Sequence, residues 1–158
     1  VRMPIKKTPA RTGKTTINTK TYSPKLPRVS EHEEQSNLFL EVRFKFAHCE
    51  DYIDDLFFSV PNGMWAGGQN KWALINKFKK EGMKTGVADV LYLQPRGDYS
   101  CLAIEMKATD QRNNADAVSP DQSRFLEAIN ASGGWGEVCY GAEEAIRIFE
   151  TYMSMEAR

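Results

Sequence analysis

The chain has 158 residues, 41% hydrophobic and 27% charged, which suits one globular domain with a real core. No apolar run approaches the roughly 18 residues of a membrane span, and no signal-peptide core is visible, so no membrane partner is expected. Net charge is zero, and Cys49, Cys101, Cys139, His32 and His48 show no zinc-type spacing, so the thiols read as reduced, in a cytoplasmic setting.

The charge is unevenly spread. Residues 1–28 hold eight basic side chains and no acid, and the remainder carries 13 basic and 21 acidic ones. Residues 1–29 are rich in Thr, Pro and Lys and poor in large apolar residues, so they read as a basic arm outside the folded domain of residues 30–158. A basic arm on an acidic body suits a polyanionic partner, or else a solvated tail. Thr12-Gly13-Lys14-Thr15 imitates the end of a phosphate-binding loop, but Thr8 stands where that motif needs Gly, and no strand precedes it.

The first helix is predicted to begin at Ser30, because Ser30 with Glu33 fits a capping box. Leu38, Val42 and Phe46 form its inward stripe, with Phe39 beside it, and the stripe extended backwards places Glu31 on the buried side of the first turn. Leu56 to Val60 reads as a short strand closed by Pro61-Asn62-Gly63, and Gly67-Gly68 as a loop. A helix follows from about Gln69 to Glu81, with Trp72, Ile75 and Phe78 inward, Lys77, Lys79 and Lys80 outward, and Gly82 ending it.

Gly86 to Leu93 and Cys101 to Lys107 alternate like strands, with the turn cluster Gln94-Pro95-Arg96-Gly97-Asp98 between them. Antiparallel pairing puts Asp89, Leu91 and Leu93 on one face of the first strand, and Ala103, Glu105 and Lys107 on one face of the second. Residues 108–118 are polar and loop-like. Ser119, Pro120 and Gln122 supply N-cap, N1 and N3 of a further helix with the stripe Phe125, Leu126 and Ile129, stopped by Gly133-Gly134. Glu137 to Tyr140 reads as a strand and Ala142 to about Met155 as a last helix. The order α-β-α-β-β-α-β-α implies an α/β fold, a mixed sheet flanked by helices.

Two acids and a lysine on otherwise apolar strands call for a chemical reason. Phosphodiester hydrolysis needs a hydroxide-like nucleophile and relief of transition-state charge, both of which Mg²⁺ supplies. Mg²⁺ prefers hard oxygen ligands and keeps several waters, so Asp89 and Glu105 suffice as carboxylate ligands, with the Met106 carbonyl and Glu31 as further candidates. Lys107, on the face of Glu105, can orient or help deprotonate the attacking water, or balance transition-state charge.

Glu31 within Ser30-Glu-His-Glu-Glu-Gln35, Pro61-Asn62-Gly63, Glu81-Gly-Met-Lys-Thr-Gly-Val-Ala-Asp89, Ile104-Glu-Met-Lys107, Ser119-Pro-Asp-Gln122 and Cys139-Tyr-Gly141 with Glu144-Ala145 form an ordered set. In that order and spacing they resemble a VRR-NUC domain, a branch of the PD-(D/E)XK nucleases found in phage and bacterial proteins and in the Fanconi-associated nuclease. The likeness covers residues 30–153. It implies a restriction-endonuclease-like fold and Mg²⁺- or Mn²⁺-dependent cleavage of DNA in a phage or bacterial setting. Stand-alone members are similar to Holliday-junction resolvases and act as homodimers. The family's active-site pattern falls on Glu31, Asp89, Glu105, Lys107 and Gln122. Where the family usually has Pro before the aspartate, this chain has Ala88, which removes no ligand.

Simpler readings stand beside these. Asp89 can be a strand-edge acid, and Glu105–Lys107 an exposed ion pair worth about 0–1 kcal/mol. Glu34 rivals Glu31. Gln122 can be only the capping partner of Ser119, and Asn62 only a turn former rather than a contact to the DNA backbone. Trp65, Trp72 and Trp135 read as packing residues rather than base-stacking platforms. The leading expectation is a metal-dependent endonuclease for branched DNA. A flap or simple nicking nuclease, and a catalytically idle DNA-binding module, are the alternatives.

Overall fold

The computed structural model describes residues 28–48, 52–61 and 71–158. The expectations for the arm up to residue 27, Cys49, Asn62, Trp65 and Gly67-Gly68 lie outside these residues. Among the described residues five helices and four strands follow in chain order: α1 (Glu31–Lys45), α2 (Ile53–Leu56), β1 (Phe57–Ser59), α3 (Lys71–Lys80), β2 (Val90–Tyr92), β3 (Leu102–Lys107), α4 (Pro120–Ala131), β4 (Trp135–Tyr140) and α5 (Ala142–Met153). The sheet order is β1-β2-β3-β4. The first two pairings are antiparallel and β3–β4 is parallel, which makes the sheet mixed. Among the described residues no helix is long and apolar enough to cross a membrane.

The capping signals place two helices as expected. Ser30 accepts from the Glu33 N–H, and the Glu33 carboxylate accepts from the Ser30 N–H. Ser119 and Gln122 form the same reciprocal box, with Pro120 in the first turn. Both boxes satisfy amide groups that a helix start otherwise leaves open.

The sheet separates two apolar layers. On one side Leu38 and Val42 of α1, and Phe149 and Tyr152 of α5, pack on Phe57, Val90, Tyr92, Leu102, Ile104 and Met106. Phe57, Tyr92 and Phe149 form a cluster of rings, with centroids between 4.8 and 6.2 Å apart. On the other side Leu126, Phe125 and Ile129 of α4 pack on Ala88, Leu91, Ala103 and Val138. The alternation of side chains along β2 and β3 therefore sorts residues as the sequence pattern implies.

Several expected boundaries move. The strand expected at 86–93 is reduced to Val90–Tyr92, because Gly86 turns with φ +75° and Leu93 is exposed. The strand expected from Leu56 begins one residue later, since Leu56 closes the short α2. β4 starts at Trp135, two residues early, and the polar stretch after β3 contains one 3₁₀ turn, Thr109–Gln111. Trp135 is a packing residue, its ring 5.2 Å from Tyr99. Trp72 is not: it is 75% exposed, so its place on the inward stripe of α3 is corrected. Ile75 and Phe78 do turn inward and are half-buried.

Candidate active site

The register Val90↔Ile104 sets residue 89 opposite residue 105, just beyond the paired part of β2. β3 is buried along its whole length, so its last residues carry Glu105 and Lys107 into the interior. Glu105 is fully buried and Lys107 is 8% exposed. The exposed ion pair allowed by the sequence is thus a buried one, whose charges need partners.

Those partners come from the first turns of α1 and α4, and Asp89 stands close by, just ahead of β2. The Lys107 ammonium donates to Glu105 Oε1 at 2.7 Å and to Glu31 Oε1, from the first turn of α1, at 3.2 Å. Gln122 Nε2, from the first turn of α4, donates to the same Glu105 Oε1. Asp89 Oδ2 accepts from the Met106 N–H at 2.9 Å. Glu31, Asp89, Glu105, Lys107 and Gln122 are therefore gathered at one end of β3. Gln122 fills both roles that the sequence left as alternatives: its Oε1 accepts from the Ser119 N–H while its amide nitrogen reaches Glu105.

The rivalry between Glu31 and Glu34 is resolved by direction. Glu34 is the buried member, and its carboxylate accepts from Thr109 Oγ1 at 3.0 Å and from the Ala142 N–H at 2.8 Å. It therefore closes the N-terminus of α5. Glu31 lies one turn earlier on the same face, and its side chain is 48% exposed. The expectation that Glu31 is buried is thus corrected, because the stripe runs out to solvent at the first turn. Its carboxylate nonetheless turns to Lys107.

The electrostatics follow from burial. Desolvation pushes the Glu105 carboxyl up to about 7, and the Asp89 charge adds to this, against the hydrogen bond and charge of Lys107. Burial alone would lower the Lys107 ammonium. Its hydrogen bond to Glu105, with the charges of Glu105 and Glu31, outweighs that and holds it above the usual lysine value. The two carboxylates thus favour the cationic form of Lys107.

The donor chemistry fits a hard divalent cation. Glu105 Oε2 is buried with no hydrogen-bond partner among the described residues, which is costly unless a cation or water meets it. The Met106 N–H is turned to Asp89, whereas the Lys107 carbonyl accepts from Gly141 beside β4. Backbone groups alternate sides along a strand, which puts the Met106 carbonyl on the same edge of β3 as its N–H, the β2 side. Among the described residues no group of three ligating side chains occurs. Two carboxylates, one carbonyl and several waters are a set that Mg²⁺ accepts and zinc does not favour.

A cleft of about 560 Å³ opens beside these residues, lined by Arg28, Glu31, Lys107, Gln111 and Asn114 among others. Arg28 is held there by Asp110 at 2.7 Å. Arg112 braces the same loop through Glu144 at 2.8 Å and lies over the Tyr140 ring at 5.0 Å. Sequence reasoning missed Arg28, Gln111 and Asn114 as cleft residues. Their only local signal was polarity, and contacts distant in sequence place them.

The family model of the VRR-NUC domain matches residues 29–143. The chain belongs to the VRR-NUC family. A solved structure described as a VRR_NUC domain protein superposes with a TM-score of 0.63 at 21% identity, covering 82% of this chain and 93% of that one. No curated protein matches the chain. The VRR-NUC domain is a nuclease-type, DNA-processing family, and its restriction-endonuclease-like mixed sheet is the fold seen here. Each motif residue quoted from the described part of the sequence lies within the matched segment, apart from Glu144 and Ala145 just past its end.

Proposed function

We propose that this VRR-NUC protein is a metal-dependent endonuclease that hydrolyses phosphodiester bonds in branched DNA, with Holliday junctions as the preferred form. The observation that carries the reading is the meeting of Asp89, Glu105 and Lys107 at one end of β3, with Glu105 Oε2 buried and without a hydrogen-bond partner among the described residues. Asp89, Glu105 and the Met106 carbonyl would hold Mg²⁺ or Mn²⁺, while Glu31, the further candidate from α1, is turned to Lys107 beside them. Bound there, such an ion supplies a hydroxide-like nucleophile and charge relief.

The remaining chemistry belongs to the chain's own side chains. Lys107, kept protonated by Glu105 and Glu31, donates to the attacking water or to a non-bridging phosphate oxygen, where negative charge grows. Gln122 fixes the Glu105 rotamer from the first turn of α4, so the carboxylate need not reorganise during reaction. Burial of Glu105, which shares its face of β3 with Ala103 beneath α4, excludes bulk water and strengthens these interactions.

A junction resolvase cuts two strands symmetrically, and a two-fold homodimer would supply the second site. Cleavage of a four-way junction, a flap, a single strand and a linear duplex with and without Mg²⁺ tests this. Paired, symmetric nicks across the junction are expected. Cleavage confined to flaps or duplex would move the substrate assignment, and none on any substrate would leave a DNA-binding module.

A further inference from the structure

Helix α3 combines two features that the fold does not use. Trp72 is 75% exposed although tryptophan is a large, mostly buried residue type. Trp72, Asn76 and Lys80 recur every fourth residue and so lie along one stripe, with Lys79 alongside. All four are exposed. Ile75 and Phe78 lie on the adjoining side of the helix, where they turn inward and line a cleft with Val60, Met83 and Val87. The outward stripe is therefore an additional surface, not a misplaced core.

Its charge is out of keeping with the rest of the body. Residues 71–84 hold five lysines and one acid, whereas the rest of residues 29–158 holds eight basic and 20 acidic side chains. Elsewhere Arg43, Lys45, Arg112, Arg124 and Arg158 are each paired with an acid. Lys77 has Glu81 at 3.8 Å, but among the described residues Lys79 and Lys80 have no anionic partner. A second copy docking this face on its own equivalent would set lysine against lysine, so the charge favours a polyanion.

The surface is coupled to the site by the segment that follows α3. Thr85 Oγ1 donates to Asp121 at 3.0 Å, and the Lys84 ammonium sits 5.8 Å from the centre of the Phe125 ring. Both contacts lie on α4 beside Gln122, and the same segment runs on to Asp89.

Resting on the nuclease reading, we propose that the outer face of α3 is a DNA-binding surface in which Trp72 stacks on an unpaired base while Lys79 and Lys80 hold neighbouring phosphates. An indole plate beside ammonium groups takes any base, because every base has a π-face. Such a surface would favour DNA with unstacked bases near the scissile position, as at a branch point, over intact duplex.

The test measures binding by full-length Asp89→Asn protein, so that cleavage does not intervene. An oligothymidylate and a linear duplex are the probes. Trp72→Ala is expected to bind oligothymidylate about tenfold more weakly, with duplex affinity changed less than twofold, and Trp72→Phe to restore most of the loss. Lys79→Glu with Lys80→Glu should weaken both probes and flatten the salt dependence. Unchanged oligothymidylate binding by Trp72→Ala, or self-association that depends on Trp72 while DNA binding does not, would overturn the proposal. Cleavage by the unmutated chain is scored separately. If it is absent while Trp72-dependent binding persists, the nuclease reading falls and the surface stands.

Discussion

Glu105 is the residue on which the site's energetics turn. Its carboxyl is pushed up to about 7 by burial, far above its value in an unfolded chain, so the folded state holds this proton more tightly than the unfolded state does. Its contribution to stability is then full below about pH 4.5, falls as pH rises, and is lost once pH passes about 7. Without metal, Glu105→Gln should melt higher than the unmutated protein at about pH 8, with the gap closing near pH 5, as differential scanning fluorimetry would show. A gap independent of pH would contradict the assignment. Added Mg²⁺ should raise Tm more at about pH 8 than near pH 6, because ligation needs the ionised carboxylate. Lys107→Ala should lower cleavage at least about a hundredfold, since it removes a donor aimed at developing charge. Full activity in that variant would reduce the lysine to a structural partner.

Among the elements, α4 connects packing to chemistry, because it carries Gln122 and is held close to the segment before Asp89. A Cβ at Gly86, which has φ +75°, would lie 2.5 Å from the Asp121 backbone. Gly86→Ala is therefore expected to cost more than about 2 kcal/mol in urea titration and to disturb cleavage through Gln122. Stability and activity both near the unmutated values would show that α4 tolerates the displacement. The same elements show how far the sequence could be read. Capping boxes at Ser30 and Ser119 and the alternation along β2 and β3 are local signals, and they set both helix starts and the face shared by Asp89 and Glu105. The burial of Glu105 and Lys107 was not legible, because it depends on β4 and α4 covering β3 from two sides. Nor was the exposure of Trp72, since a helical stripe marks apolar residues whether or not a partner covers them. Glu34 and Glu31 share a helix face, and only the position of the α5 N-terminus tells them apart.

At the scale of the whole molecule, the chain sets eight basic side chains in residues 1–28 against an acidic body. Arg28, the last of these basic residues, lines the cleft beside Glu31 and Lys107. Deleting residues 1–27 should weaken DNA binding and reduce the slope of log affinity against log salt, while Mg²⁺-dependent chemistry on bound substrate persists. Affinity unchanged at every salt concentration would make the arm a bystander. The most direct test of the nuclease assignment is Mg²⁺-dependent cleavage of a labelled four-way junction by the unmutated chain and by Asp89→Ala. The expected result is symmetric nicking by the former only, with junction binding by the variant largely kept because phosphate contacts carry most of the affinity. Equal cleavage by both proteins, or cleavage that persists in excess chelator, would contradict it.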